Sequence, residues 1–291
     1  MKALVFGVNG QDGHYLSAAC RARGMEVIGV SRSWGDWLTG DVAVLEFVEG
    51  LIKEHQPDII FHLAANSTTR HDALFEHHRT ISQGTLNILE SVRRWAPACK
   101  VFITGSGLQF INTGAPIAET DPFDHNSSYV IARNYSVQAA RYFRSLGIKT
   151  YVGYLFHHES PLRKPNHVSQ KIVQAALRIA GGSSESIQLG DTSTSKEWTF
   201  AGDVAEAVMT LVHQDSVYEA TIGSGETHTI KEWLDACFGL INVDWHTHVS
   251  SIEGFTAEYP QLLSAPATIN SLGWRPRVVF RDLAALMMGI N

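Results

Sequence analysis

Gly7-Val-Asn-Gly10-Gln-Asp-Gly13 lies directly between the first apolar run of the chain and the first amphipathic segment. We predict a strand over Ala3–Val8 and a helix over Asp12–Arg23, joined by this glycine turn. Glycines at such a turn let the backbone approach a dinucleotide pyrophosphate, which rests on the helix N-terminus. A plain strand-to-helix turn is the alternative, although the flanking strand and helix are the context that the motif requires. The candidate cofactor contacts are Gly7, Gly10, Gln11, Asp12 and Gly13.

Beyond the turn, apolar runs alternate with helix-length amphipathic stretches. Further strands are predicted at Glu26–Val30, Asp58–Leu63, Lys100–Thr104 and Lys149–Phe156, and helices at Val42–His55, Asp72–Trp95 and Ser127–Leu146. Nearly all-apolar strands alternating with helices indicate a doubly wound parallel sheet of Rossmann type, covered on both faces. The elements become shorter after residue 157. We therefore expect an α/β fold in which residues 1–157 bind a dinucleotide and residues 158–291 mostly form a smaller C-terminal cap, with some segments returning to the sheet.

The composition excludes several classes of protein. The 291 residues carry a formal net charge of −6, which argues against binding along a nucleic-acid backbone. The three widely spaced cysteines indicate reduced thiols rather than disulfides or a metal site. There is no apolar run of membrane-spanning length, and the N-terminus has the pattern of a strand rather than of a signal peptide. We expect a cytoplasmic protein with no membrane partner.

The end of the second predicted strand indicates which nicotinamide cofactor is used. An NAD site usually has a carboxylate here, whereas this chain reads Val30-Ser31-Arg32-Ser33. Arg32 and its neighbouring serines suit a ribose 2′-phosphate, so NADP is favoured over NAD, and a solvated loop arginine is the alternative. We expect Asp41 to contact the adenine, and Ala64 and Ala65 to line the path of the cofactor.

The window Tyr129-Val-Ile-Ala-Arg133 contains the candidate proton donor and acceptor. Residues four apart share one face of a helix, so Arg133 can hold a cation near the phenol of Tyr129. Such a cation favours phenolate, which can exchange a proton with a substrate hydroxyl. A tyrosine and an arginine at this spacing also occur on ordinary amphipathic helices, which is the alternative interpretation.

Two longer segments are more specific, and they read Gly10-Gln-Asp-Gly13-His-Tyr-Leu16 and Leu155-Phe-His-His-Glu159-Ser-Pro161-Leu-Arg163. Together they resemble the GDP-mannose 4,6-dehydratase family of the extended short-chain dehydrogenases/reductases. The first is similar to the family's Gly-Gln-Asp-Gly-x-Tyr-Leu opening. The second is similar to its Leu-Phe-Asn-His-Glu-Ser-Pro-x-Arg run, which generic nucleotide-sugar epimerases do not share. The window from Tyr129 to Arg133 resembles the family's Tyr-x-x-x-Lys pair with arginine in place of lysine, and the resemblance covers nearly the whole chain.

The resemblance implies hydride transfer at C-4 of a GDP-linked hexose, with Tyr129, Ser106 and Arg133 as the catalytic residues. In the family a glutamate also removes the C-5 proton during elimination of water. Leu108 occupies the position of that glutamate here and can neither accept nor donate a proton. Reduction of a 4-keto sugar nucleotide is therefore the leading hypothesis.

Two other functions remain open at this stage. One is an authentic GDP-hexose 4,6-dehydratase that uses a substitute base, for which Glu119 and Asp121 are the candidates. The other is a catalytically weak binding or regulatory homologue that pairs with an active partner, because two of the four catalytic positions are substituted.

The resemblance also implies that the cap binds the nucleotide sugar. The residues carried over for this role are Glu159, Arg163, Asn166, Lys171 and Lys196. We expect a homodimer, because the family's loop after the second strand, which helps to build a tetramer, is shortened here. The 14 histidines lack the spacing of metal ligands, so no metal site is expected.

Overall fold

The computed structural model describes residues 1–290 as a parallel sheet with helices on both faces. The strands are β1 (Lys2–Phe6), β2 (Glu26–Ser31), β3 (Leu38–Thr39), β4 (Ile59–His62), β5 (Lys100–Ser106), β6 (Thr150–Leu155), β7 (His158–Glu159), β8 (Ile187–Leu189), β9 (Ser195–Glu197), β10 (Thr199–Phe200), β11 (Glu219–Ile222), β12 (Thr227–Thr229), β13 (Val249–Ser251) and β14 (Gln261–Leu262). The helices are α1 (Gln11–Ala22), α2 (Leu45–His55), α3 (Leu74–His77), α4 (Gly84–Trp95), α5 (Ser128–Ser145), α6 (Val168–Ala180), α7 (Ala201–Val212), α8 (Ile230–Gly239), α9 (Ala267–Ser271) and α10 (Phe280–Met288).

Seven strands form the central sheet in the order β11-β6-β5-β4-β1-β2-β3, and all their pairings are parallel. One hydrophobic cluster joins one face of this sheet to α2, α4 and α5, and a second joins the other face to α1 and α7. Burial on both faces explains why β4 and β6 are buried along their whole length. The prediction of a doubly wound Rossmann-type sheet is confirmed.

The region predicted as one helix over Asp72–Trp95 is built differently. It begins with a 3-10 turn at His71–Ala73, and a π-helical segment, His78–Gln83, separates α3 from α4. The hydroxyl of Ser136 on α5 donates a hydrogen bond to the Ile81 carbonyl within this segment, at 3.2 Å. Such wide turns interrupt the regular hydrogen-bond pattern of a helix and often occur near functional sites. The periodicity of the sequence did not reveal the interruption.

The C-terminal half contributes both to the sheet and to a separate core. β11 extends the central sheet beside β6, and α7 packs in the same cluster as α1. A third hydrophobic cluster is formed by side chains of α6, α8 and α10 and includes the buried Trp198 and Trp233. Return of some C-terminal segments to the sheet was expected from the sequence, and the boundary between residues 157 and 158 stays a prediction.

Short strands account for most of the other differences from the sequence prediction. The shortened loop Ser31–Thr39 ends in β3, which pairs with β2, and small two- and three-stranded sheets occur in the C-terminal half. Two- and three-residue strands have too few residues to show an alternating pattern. Residues 1–290 contain no helix with the length and apolarity needed to cross a membrane.

Candidate active site

The glycine turn has the geometry of a phosphate-binding cradle. Gly7 has a φ of +91°, and a Cβ there would lie 2.7 Å from the Ala64 amide nitrogen. A Cβ at Gly13 would lie 2.3 Å from the Gly7 carbonyl oxygen, so a larger residue would separate α1 from the turn. Gly10 is the N-cap of α1 and has no side chain to cover the helix end. These residues fit a dinucleotide pyrophosphate, which would rest on the amides of the first helical turn.

The side chains of Gln11 and Asp12 reach away from this cradle toward β7. Ser160 donates a hydrogen bond to Gln11 Oε1 at 2.7 Å, and His158 Nε2 lies 2.8 Å from Asp12 Oδ1. Burial raises the pKa of Asp12, but the ion pair with His158 more than offsets it and lowers the pKa to about 2. The two family-like motifs, 146 residues apart, are therefore in direct contact. The predicted cofactor role of Gln11 and Asp12 therefore falls mainly on their backbone groups in the first turn of α1.

The two charged residues predicted at the adenosine end both pair with the helical region after β4. Arg32 forms a two-pronged ion pair with Glu76 on α3, at 2.5 and 3.1 Å. Asp41 accepts a hydrogen bond from Arg79 in the π segment at 2.8 Å. Ala64 and Ala65 directly follow β4, as expected for residues beside the cofactor, with Ala64 half-buried and Ala65 exposed.

Tyr129 and Arg133 are in contact at the start of α5. The Nε of Arg133 donates a hydrogen bond to the Tyr129 hydroxyl at 3.2 Å. Another guanidinium nitrogen donates to the Thr104 carbonyl on β5 at 2.6 Å, and only 3% of Arg133 is exposed. The strand therefore holds the cation beside the phenol, which is the arrangement that the spacing of four residues predicted.

Ser106 ends β5, two residues after the carbonyl that anchors Arg133. Its hydroxyl accepts a hydrogen bond from the Leu108 amide at 3.2 Å, and its own amide donates to Gln109 Oε1 at 2.7 Å. A serine hydroxyl that accepts one bond still has its proton to donate to a substrate oxygen. Leu108 packs against the buried cluster of Tyr129, Ile81, Val130 and Ala132, so an apolar side chain faces the tyrosine where the family has a carboxylate.

Two buried histidines beside this site were not assigned a role from the sequence. His77 Nδ1 lies 2.9 Å from the Ser128 hydroxyl, and its ring meets the Tyr129 ring edge-on at 5.6 Å. Burial lowers the pKa of His77, and Arg133 lowers it further. His62 is also buried, and its pKa falls to about 3 for the same two reasons. The signal for His77 was its helical spacing from Ala73 and Ile81, which places all three on one buried face.

Three of the predicted substrate-binding residues meet in one charged cluster. Arg163 Nε donates to Glu159 Oε2 at 2.9 Å, while His157 Nε2 lies 2.5 Å from Lys196 Nζ. An ammonium group can only donate, so His157 accepts at Nε2 and carries its proton at Nδ1, which lies 3.3 Å from Glu159 Oε1. Burial lowers the pKa of Lys196 to about 8. The negative charge of Glu159 raises this pKa, and the positive charge of Arg163 lowers it. His157, which occupies the position of the family's asparagine, thus lies between Glu159 and Lys196 and, of these two, is hydrogen-bonded only to the lysine.

The other two predicted substrate contacts lie outside this cluster. Lys171 is exposed on α6 and donates to the Gln188 carbonyl on β8 at 2.6 Å. Asn166 is exposed in the loop before α6. Among the residues that the structure describes, no three His, Cys, Asp or Glu side chains come together in a way that could hold a metal ion.

Comparison with known proteins reveals similarity along the whole chain. UDP-glucose 4-epimerase of Thermus thermophilus, solved as a complex with NAD, has a TM-score of 0.84 and 23% identity over 99% of this chain and 98% of that chain. RMD from Pseudomonas aeruginosa, complexed with NADPH, has a TM-score of 0.85 and 18% identity over 99% and 97%. At these identities the structural likeness shows the fold alone.

Sequence similarity identifies the family. GDP-mannose 4,6 dehydratase 1 of Arabidopsis thaliana is 30% identical over 98% of this chain and 88% of its own length. The family model described as GDP-mannose 4,6 dehydratase matches residues 4–287. The chain therefore belongs to the GDP-mannose 4,6-dehydratase family.

Proposed function

We propose that this chain is an NADP-dependent enzyme that transfers hydride at C-4 of a GDP-linked hexose, in the direction that reduces a 4-keto sugar nucleotide. The observation that carries the proposal is the pairing of Tyr129 with Arg133 beside Leu108, which replaces the family's glutamate. A phenol beside a fixed cation can protonate a ketone oxygen. Elimination across C-5 and C-6 needs a base that leucine does not provide.

The chain's own residues divide the work of carbonyl reduction. A nicotinamide cofactor whose pyrophosphate is bound at the glycine cradle would supply the hydride. Tyr129 donates its phenolic proton to the C-4 oxygen, and the adjacent guanidinium of Arg133 stabilises the phenolate that remains. Ser106 donates a hydrogen bond to the same oxygen and orients it. One hydride and one proton together convert the ketone to an alcohol.

Contacts of the two substitute carboxylates weigh against the dehydratase alternative. Glu119 accepts hydrogen bonds from the Thr221 amide and hydroxyl at 3.3 and 3.2 Å and from the Thr268 hydroxyl. Asp121 accepts one from the Ala118 amide at 3.0 Å. Glu119 therefore joins its loop to β11 and α9, and Asp121 binds within its own turn, so each carboxylate already has a structural role.

The assembly that we propose is a homodimer in the cytoplasm, formed through the outer face of α5. Ile131, Tyr135 and Tyr142 lie along this face at helical spacing and are 44–61% exposed. Exposed aromatic side chains aligned on one helix are typical of protein interfaces. The three cysteines are buried and unpaired, which suits a reducing compartment.

The test is incubation with NADPH and a GDP-4-keto-6-deoxyhexose, and separately with NADP and GDP-mannose, followed by NMR at C-4 and C-6. Reduction at C-4 supports the proposal. Conversion of GDP-mannose to the ketone, with the ketone itself left untouched and deuterium lost from C-5, would establish the dehydratase instead. Saturable binding of both ligands without turnover would indicate the regulatory homologue.

A pair of variants connects that activity to the site. Tyr129→Phe removes the proton donor and should lower kcat by about 10²–10⁴-fold. Tyr218→Phe is the matched control, because it removes a hydroxyl that donates to the Asp215 carbonyl before β11, outside the site and the proposed interface, and should leave kcat unchanged. Equal rates for the two variants would exclude Tyr129 as the proton donor.

A further inference from the structure

Glu76 contacts Arg32, the residue that is predicted to bind the 2′-phosphate of NADP. Arg32 follows β2, and its neighbour Ser33 is joined to the glycine turn by a hydrogen bond from Asn9 at 2.9 Å. Glu76 on α3 contacts the same arginine. This arrangement places a carboxylate beside the one cation on which the choice of NADP depends.

The two carboxylate oxygens of Glu76 engage both terminal nitrogens of Arg32, at 2.5 and 3.1 Å. A phosphate binds arginine best through the same two-pronged contact, so the carboxylate and a 2′-phosphate compete for one edge of the guanidinium. The bond to Arg32 lowers the pKa of Glu76, so the carboxylate is ionised at neutral pH. A phosphate placed beside it would also meet like-charge repulsion.

We propose that Glu76 sets the cofactor preference by competing with the 2′-phosphate of NADP for Arg32. This inference rests on the proposed role of Arg32, and it assigns to α3 a specificity residue that the strand-end sequence does not reveal. NAD has a hydroxyl at this position and does not need the guanidinium, so its affinity depends little on Glu76. The pair of Glu76 with Arg32 therefore weakens the binding of NADP more than that of NAD. The affinities of the two cofactors differ less than they would without Glu76.

The pair is also weak enough to be exchanged. The side chain of Arg32 is 53% exposed and that of Glu76 is 30% exposed. Ion pairs in such positions contribute little, because water and salt screen them. Binding of a 2′-phosphate can therefore displace Glu76 without disturbing the fold.

The experiment measures dissociation constants for NADPH and NADH by nicotinamide fluorescence, which requires no turnover. Glu76→Gln should tighten NADPH binding by about threefold to tenfold, the range expected for release of an exposed ion pair and its repulsion, and should change NADH binding by less than about twofold. Glu90→Gln is the matched control, because it removes the same charge from a partly exposed residue on α4 that binds Arg93 and Arg94. It should leave both constants unchanged.

Two further variants distinguish the competition at Arg32 from the use of NADP as the cofactor. Arg32→Gln should weaken NADPH but not NADH, and the effect of Glu76→Gln should vanish when both changes are combined, because Glu76 acts through Arg32. If Arg32→Gln weakens NADPH while Glu76→Gln has no effect or matches Glu90→Gln, the competition is overturned and the NADP assignment stands. If Arg32→Gln changes neither constant, both are overturned.

Discussion

The charged pairs at the two ends of the site differ in how deeply they are buried. At the cofactor end, Arg32 is half exposed and pairs with Glu76 at the surface. In the cap, Glu159 is completely buried and is bound by Arg163, which is 18% exposed. Exposed pairs exchange partners at small cost, whereas a buried charge that loses its partner destabilises the protein. Under the proposed function, cofactor choice can therefore change by single surface substitutions, whereas the buried cluster around Glu159 changes only together with stability.

The largest effect on stability should come from removing the buried carboxylate. We expect Glu159→Gln to lower the free energy of unfolding by about 3 kcal/mol, because the guanidinium of Arg163 loses its anionic partner. Glu76→Gln, the same chemical change at the other end of the site, should cost less than about 1 kcal/mol. Urea denaturation of both variants measures the difference. Equal losses would contradict the contrast between the two ends.

A second prediction uses the pH dependence of the cap. Lys196 has a folded-state pKa of about 8, below its ordinary value of 10.5, because it is buried. The unfolded chain therefore binds more protons between these values, and stability should rise with pH across this window by up to about 1.4 kcal/mol per pH unit. Lys196→Met should remove this rise. Urea midpoints at pH 7.5 and 9.5 test it, with the wild type and the variant compared at each pH so that other titrating groups cancel.

A third, smaller effect concerns the contact between Asp12, at the start of α1, and His158 in β7. Asp12→Asn breaks the charged hydrogen bond to His158 and should destabilise the protein by about 1.5 kcal/mol. Asp12 has a folded pKa of about 2, below its ordinary 3.8, so its contribution is present above 3.8 and is lost as the pH falls toward 2. Burial alone would lower the pKa of His158, but Asp12 raises it above its usual 6.5, so its contribution is complete below 6.5 and is lost at higher pH. The loss in Asp12→Asn should therefore be largest between about pH 4 and 6.5, and a pH-independent loss would argue against the ion pair.

The smallest effect on stability is expected at Arg32. Arg32→Gln should change the free energy of unfolding by less than about 0.5 kcal/mol, because the pair with Glu76 is exposed. Thermal unfolding without cofactor provides the measurement. A large loss of stability would mean that the pair of Arg32 and Glu76 stabilises the fold, so Arg32 would not be free to exchange Glu76 for a ligand at small cost.

Features that depend on neighbours along the chain were readable from the amino-acid sequence alone. Alternating apolar and amphipathic segments predicted the sheet and most of the long helices, and the glycine turn predicted the cradle between β1 and α1. The contact between Tyr129 and Arg133 also followed from sequence, since residues four apart on a helix share a face.

The meeting of distant side chains, in contrast, depends on the packing of the whole chain. Arg32 and Glu76 are 44 residues apart, His157 and Lys196 are 39 apart, and Asp12 and His158 are 146 apart. The π segment between α3 and α4 was likewise invisible in the sequence pattern. Periodicity tells which face of an element is buried, but the partner of a charged side chain depends on how separate elements pack. The pairing of Tyr129 with Arg133 was therefore readable from the sequence, whereas the pairing of Arg32 with Glu76 required the fold.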